Sequence, residues 1–237
     1  MKLFRKFRQV LIQKGDLKKY LLYAIGEILL VMIGILLAFQ VNTWNNNRLK
    51  RTAELSIYKN IRDQIISDKI HIQNQIDYSN NYAVQFDYAI EIIELNDLTK
   101  ADTLGKIAVN LSNYSDFDKQ GNIYETLVNS GEIKLLRNRN IIEGIRELEE
   151  RYLYINRMEN IHYDAIMTYV VPSIITAVNF STGEVKNADN LYTLEFQNLI
   201  MVSLRIMDEK DQIYHSAIDE IEIIVELLDK ELNTNAD

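Results

Sequence analysis

The sequence predicts an all-α protein: an N-terminal transmembrane helix followed by an up-and-down helical bundle with three long helices and short connecting helices. Three observations carry that expectation. One proline and eight glycines in 237 residues leave almost nothing to interrupt helix propagation or to punctuate hairpins. Apolar residues recur at spacings of three and four over long stretches. A single run at residues 20–44, "YLLYAIGEILLVMIGILLAFQVNTW", is apolar for two dozen residues apart from Glu27.

The first segment, residues 1–19, reads as a basic amphipathic cytoplasmic stub. Leu3, Phe4, Phe7, Val10 and Leu11 fall at helical spacing among Lys2, Arg5, Lys6 and Arg8, a pattern that suits either the anionic inner leaflet or orientation during insertion. Gly15-Asp16 interrupts it before the apolar run. Residues 21–41 would make a helix of about 31 Å, matching the hydrocarbon core, with Tyr20 and Tyr23 at one headgroup level and Trp44 at the other. The run is too long for the apolar region of a signal peptide, and Leu37-Ala38-Phe39 places bulk where a signal peptidase needs small residues. Residues 20–44 are therefore expected to be an uncleaved signal anchor contacting the lipid bilayer.

Charge is divided unequally along the chain. Residues 1–44 carry seven Lys and Arg against Asp16 and Glu27, whereas residues 45–237 carry 19 basic and 32 acidic side chains. The basic bias before the span places the N-terminus in the cytoplasm and residues 45–237 outside, as an external helical bundle domain. An external part so acidic repels phosphate backbones, so no nucleic-acid partner is expected. With no cysteine there is no disulfide framework and no thiolate site. No phosphate-cradling glycine loop, zinc cluster or dinucleotide fingerprint occurs, so no cofactor is expected.

Beyond the anchor, Tyr58, Ile61, Ile65, Ile72, Ile76, Phe86, Ile90 and Ile93 continue the helical spacing as the first long helix. A turn at 94–105 follows, with Asp102 or Thr103 as cap, then a shorter helix over 104–111 and a loop over 113–122. A short helix from Ile123 closes at Ser130-Gly131, glycine being suited to the left-handed stop. The second long helix starts after Asn138 or Asn140 and buries Ile141, Ile145, Leu148, Tyr152 and Ile155, with a kink or break expected at Pro172. After a turn at 179–190, residues 191–232 form the third, with Ile213, Ala217, Ile221, Ile224 and Leu228 as its stripe.

"KYLLYAIGEILLVMIGILLAFQVNTWN" and "IYETLVNSGEIKLLRNRNIIEGIRELEERY" resemble a bacterial family of single-pass membrane proteins carried as a domain of unknown function. Its members join a basic N-terminal stub to a Y-A-I-G-E signal anchor and carry a later Y-x-x-L-x-x-S-G segment. The resemblance implies an inner-membrane protein of a Gram-negative bacterium with a helical periplasmic domain. It implies no catalytic residues.

Two sets of residues are candidates for chemistry. Each histidine follows a carboxylate by one helical turn, as Asp68 and His71, Glu159 and His162, Asp211 and His215. Glu-x-x-His on facing helices is how carboxylate-bridged dimetal sites are built, which makes Glu159, His162, Asp68 and His71 weak metal candidates. Such a site needs two matched motifs, and only one is present, so solvated or satisfied histidines are the preferred reading. The second set lies in the span: Glu27, Val31, Gly34 and Ala38 share one helical face, with a small-x-x-x-small pair that lets helices approach. A lipid-facing carboxylate costs a few kcal/mol, so this face is expected to associate with its own copy or with another membrane protein. The function expected is a non-enzymatic scaffold or accessory subunit of an envelope complex. The alternatives are a sensory ectodomain that binds a small ligand and signals through a membrane partner, and a carboxylate-histidine dimetal protein.

Overall fold

The computed structural model describes residues 17–119 and 121–234; the amphipathic stub expected at the N-terminus falls almost wholly outside them. Six α-helices are described: α1 (Leu17–Glu94), α2 (Ala101–Asn110), α3 (Ile123–Ser130), α4 (Arg139–Ala165), α5 (Val171–Ile174) and α6 (Leu194–Asn233). No strand occurs among the described residues, only an isolated bridge between Val178 and Val185. The all-helical expectation holds.

The chain divides into two compact units, Met1–Glu54 and Leu55–Asp237. In the first, no residue of the apolar window of α1 is buried, and the helix is long and apolar enough to be a candidate membrane span. Trp44 stands exposed, with the Arg48 guanidinium 5.4 Å from its ring centroid.

Within the second unit, three long helices pack in a register that their cross-links make explicit. From α1 to α6, Arg62 meets Asp229 at 2.6 Å, Lys69 meets Glu222 at 2.5 Å, and Glu94 meets Gln197 at 3.1 Å, so each step along one helix matches one step back along the other. They are antiparallel. Between α4 and α6, Arg151 pairs with Glu220 at 3.2 Å and Lys210 lies near His162, again antiparallel. Between α1 and α4, Tyr58 OH accepts from the Asn138 amide and Asp68 from Tyr152 OH, so these two run parallel. The return that parallel packing requires is made by α2, the loop after it and α3.

Helix ends explain the boundaries. Asp97 caps a short 3-10 turn by accepting from Thr99 N, and α2 then starts at Ala101 without a side-chain cap. Asp102 and Thr103 therefore lie inside the first turn rather than at its cap, because Asp97 has already satisfied the turn. Asn122 opens α3 by accepting from Glu125 N, and Gly131 closes it at φ +76°, a conformation that costs glycine little. Asn138 caps α4 through Asn140 N and Ile141 N. The disruption expected at Pro172 takes the form of a π turn at Ile166–Val170, after which α5 ends at Ile174. Proline supplies no N–H to the preceding turn and its ring crowds the carbonyl there, so the ladder widens before it. α6 starts at Leu194, three residues later than expected, because Thr193 accepts from Phe196 N and a 3-10 turn occupies Ala188–Tyr192.

The seams close into two apolar cores. One gathers Ile61, Ile65 and Ile72 of α1 with Ile141, Ile145 and Leu148 of α4 and Ile221, Ile224 and Leu228 of α6. The other gathers Phe86, Ala89 and Ile92 with Leu104, Ile166, Ile174, Phe196 and Ile200. Ile90 and Ile213, expected in the seams, are only partly buried; Ala89 and Tyr214, their chain neighbours, face inward instead.

Candidate functional site

Between the two cores lies a buried polar layer. Along α6 the inward positions run Phe196, Ile200, Ser203, Met207, Lys210, Tyr214, Ala217 and Ile221, stepping by four and three, and all are buried. Along α4 they run Ile141, Ile145, Leu148, Tyr152, Ile155, Glu159, His162 and Ile166. The polar members meet at one level: Glu159 is 4% exposed, His162 2% and Lys210 2%.

Their partners come largely from the loop between α2 and α3. Lys210 Nζ donates to the Ser115 carbonyl at 2.6 Å and stands 3.5 Å from His162 Nδ1. Glu159 Oε1 accepts the Phe117 amide at 2.7 Å and the Tyr214 hydroxyl at 2.5 Å. Ser115 Oγ lies 3.4 Å from the same phenol. Further along, Glu149 accepts the Ile123 amide at 2.7 Å and Lys119 Nζ at 2.6 Å, while Gln75 of α1 accepts the Asp116 amide at 3.0 Å. Backbone groups that a loop would otherwise leave to water are thus satisfied by side chains of all three long helices.

Burial sets the protonation of the layer. It lowers the His162 pKa to about 3, helped by the adjacent Lys210 ammonium, so the imidazole is neutral and can accept at Nδ1. It lowers Lys210 to about 8, with Glu159 and Asp116 opposing the shift. Desolvation raises Glu159, although Tyr214, Phe117 and Lys210 all favour its charged form. The Tyr214 phenol is pushed up by burial and by Glu159, and Tyr152 by burial and by Asp68. Glu159, Lys210 and Tyr214 are each engaged by groups of the same chain, so the arrangement is suited to holding a loop against the bundle.

The metal candidates are not brought together. Glu159 and His162 share the layer, but Asp68 is buried against Tyr152 OH at 3.1 Å and His71 is exposed, lining a surface cleft with Gln75 and Asp116. No group of three or more His, Cys, Asp or Glu placed to hold a metal occurs among the described residues. In the third pair, the half-buried Asp211 has Oδ2 3.3 Å from Nδ1 of an exposed His215. Lys210 and the loop residues were missed by the pairing of acids with histidines; the signal for Lys210 was one lysine in an otherwise apolar four-three spacing.

In the candidate span, Glu27 is partly buried, Val31, Gly34 and Ala38 are exposed, and nothing lies within 4 Å of where a Gly34 Cβ would stand. The four positions follow one another along α1 at spacings of four and three, which keeps them on one face.

No curated protein and no solved structure matches the chain. A family model does: the one described as a family of unknown function, DUF6090, matches residues 27–208, from Glu27 in the apolar stretch of α1 into α6. The match covers well over half of the sequence, with the second apolar core whole and the first without its α6 residues, and the chain belongs to the DUF6090 family of unknown function.

Proposed function

We propose that this protein is a single-pass protein of a bacterial inner membrane whose external helical bundle acts by binding, as a non-enzymatic scaffold or accessory subunit of an envelope complex. The observation that carries the reading is the apolar stretch of α1, unburied along a length sufficient to span a bilayer. Such a surface needs lipid or protein around it. The basic excess before residue 44 supports a cytoplasmic N-terminus and a periplasmic bundle. The polar layer adds support, because its ionisable groups are consumed in fixing a loop.

Within the membrane the proposed contact face is Glu27, Val31, Gly34 and Ala38, packed on a second copy or on another protein's span. Gly34 and Ala38 permit close approach, and packing of this face shields the Glu27 carboxyl from lipid. Two measurements test the proposal. A reporter active only in the periplasm, fused after Asp237, should be active, and activity of a cytoplasm-only reporter there would overturn the topology. In a membrane-association assay Glu27→Gln should largely retain association while Glu27→Leu and Gly34→Leu weaken it. Unchanged association in all three would remove the face from any contact.

A further inference from the structure

A second polar feature lies beside the layer, between α1 and α6. A cleft of about 250 Å³ opens between α1 and α6, lined by Ser79, Asn80 and Ala83 on one side and Leu204, Met207, Asp208 and Asp211 on the other. We infer that it is a binding site for a small organic cation bearing a primary ammonium group.

Two hydrogen-bonding groups of residues lining this cleft have no partner among the described residues. Ser79 is 6% exposed, yet its hydroxyl makes no hydrogen bond among the described residues. The contrast with Ser203 is informative, since that hydroxyl bonds back to the Leu199 carbonyl at 2.9 Å, as helical serines commonly do. Asp211 Oδ1 is buried and receives no donor, while its other oxygen faces His215. A buried acceptor without a donor is costly, and Asp211 Oδ1 beside an unbonded hydroxyl in one concavity calls for a ligand that donates.

The lining decides its chemistry. Asp208 and Asp211 place two carboxylates in the cleft and no lining side chain is cationic. Lys210, next in the chain, is turned away to the Ser115 carbonyl. A metal ion would want more than two charged ligands, and no group of three or more His, Cys, Asp or Glu placed to hold one occurs among the described residues; the remaining walls are Asn80, Ala83, Leu204 and Met207. An ammonium on a short alkyl body meets both requirements, giving its three donors to Asp211, Asp208 and Ser79 and its carbons to the apolar wall.

The test uses the full-length protein in detergent micelles, titrated calorimetrically with n-butylammonium chloride, and with 1-butanol as an uncharged probe of the same size. Saturable one-to-one binding of n-butylammonium is expected, without measurable binding of butanol. Asp211→Asn, which keeps the shape and removes the charge, should weaken binding at least tenfold; Ala83→Leu, which fills the cleft, should abolish it. Asp219→Asn, an exposed acid of α6 outside the cleft, should leave it unchanged. A lysine side chain of a protein offers the same group, so Nα-acetyl-lysine methylamide is titrated alongside, and whichever of the two amines binds tighter identifies the source. Absence of saturable binding would mean that the cleft holds solvent only. Equal binding in Asp211→Asn, or equal binding of butanol, would overturn the assignment, and because Asp211 is partly exposed its variant is expected to fold as the parent does by circular dichroism.

Discussion

Tyr214 donates its hydroxyl hydrogen to Glu159 Oε1 across the α4–α6 interface, and the same oxygen accepts the amide of Phe117. One carboxylate oxygen therefore ties two long helices to a loop that neither of them contains.

Lys210 completes that arrangement, and its removal should be severe. Lys210→Met keeps most of the stem volume but leaves the Ser115 carbonyl without its donor and Glu159 without the nearby positive charge. A loss of about 3–5 kcal/mol is expected for breaking a buried charged set. Thermal melting of the full-length protein, followed by circular dichroism, should show a fall of more than about 6 °C.

Stability should respond to acid through His162. Its native pKa of about 3 lies below the ordinary value of 6.5, so the unfolded chain takes up a proton before the native one does. The imidazole faces Lys210 of α6 and Tyr114 of the loop, with Glu159 one turn away on α4, and none of these offers it a stabilised charged state. Its penalty is absent above pH 6.5 and grows as pH falls toward 3, at up to about 1.4 kcal/mol per pH unit. His162→Gln should remove this component, so the stability difference between parent and variant should change with pH only below 6.5. A difference independent of pH would place His162 in water.

Gly105→Ala should destabilise although alanine is the better helix former. A Cβ at Gly105 would run into Val185 Cγ2 and stand 2.8 Å from the Gly183 carbonyl oxygen. Gly183 itself is held at φ +69°, so the backbone that would have to give way is already a tight turn. A loss of about 1–3 kcal/mol is expected, read as a lowered melting temperature.

Leu148→Asp and Ile224→Asp should each unfold the bundle. Both parent side chains are fully buried in the core built on Ile61 and Ile65, and an unpaired charge there costs several kcal/mol. Loss of the helical circular-dichroism signal, or insolubility on expression, is the expected readout; a normal melt would contradict the core.

Much of the framework was legible because it is periodic. Ile141, Ile145, Leu148, Tyr152 and Ile155 repeat often enough to define a buried face, and the structure buries all of them. Caps at Asn138 and Gly131 were legible for the same local reason, since one side chain or one φ value decides each. The polar layer was legible only by half. Glu159 and His162 extend the α4 seam, but Lys210 answers them from a residue 48 positions away, and no local rule connects the two. Ser115 and Phe117 take part through backbone atoms, which leave no mark on composition. The cleft beside Ser79 was not legible at all, because a missing hydrogen bond has no sequence signature.

The register of α1 against α6 also bears on how the chain is made. Arg62 finds Asp229 only after 167 further residues have been synthesised. At roughly 5–20 residues per second the inward stripe of α1 waits on the order of ten seconds or more for its covering helix. The α4–α6 hairpin can pack as soon as both of its arms exist, since its partners are closer in sequence. The stripe that leaves the ribosome first is therefore among the last to be covered, and the nascent chain presents Tyr58, Ile61, Ile65 and Ile72 to whatever holdase or translocation machinery attends it.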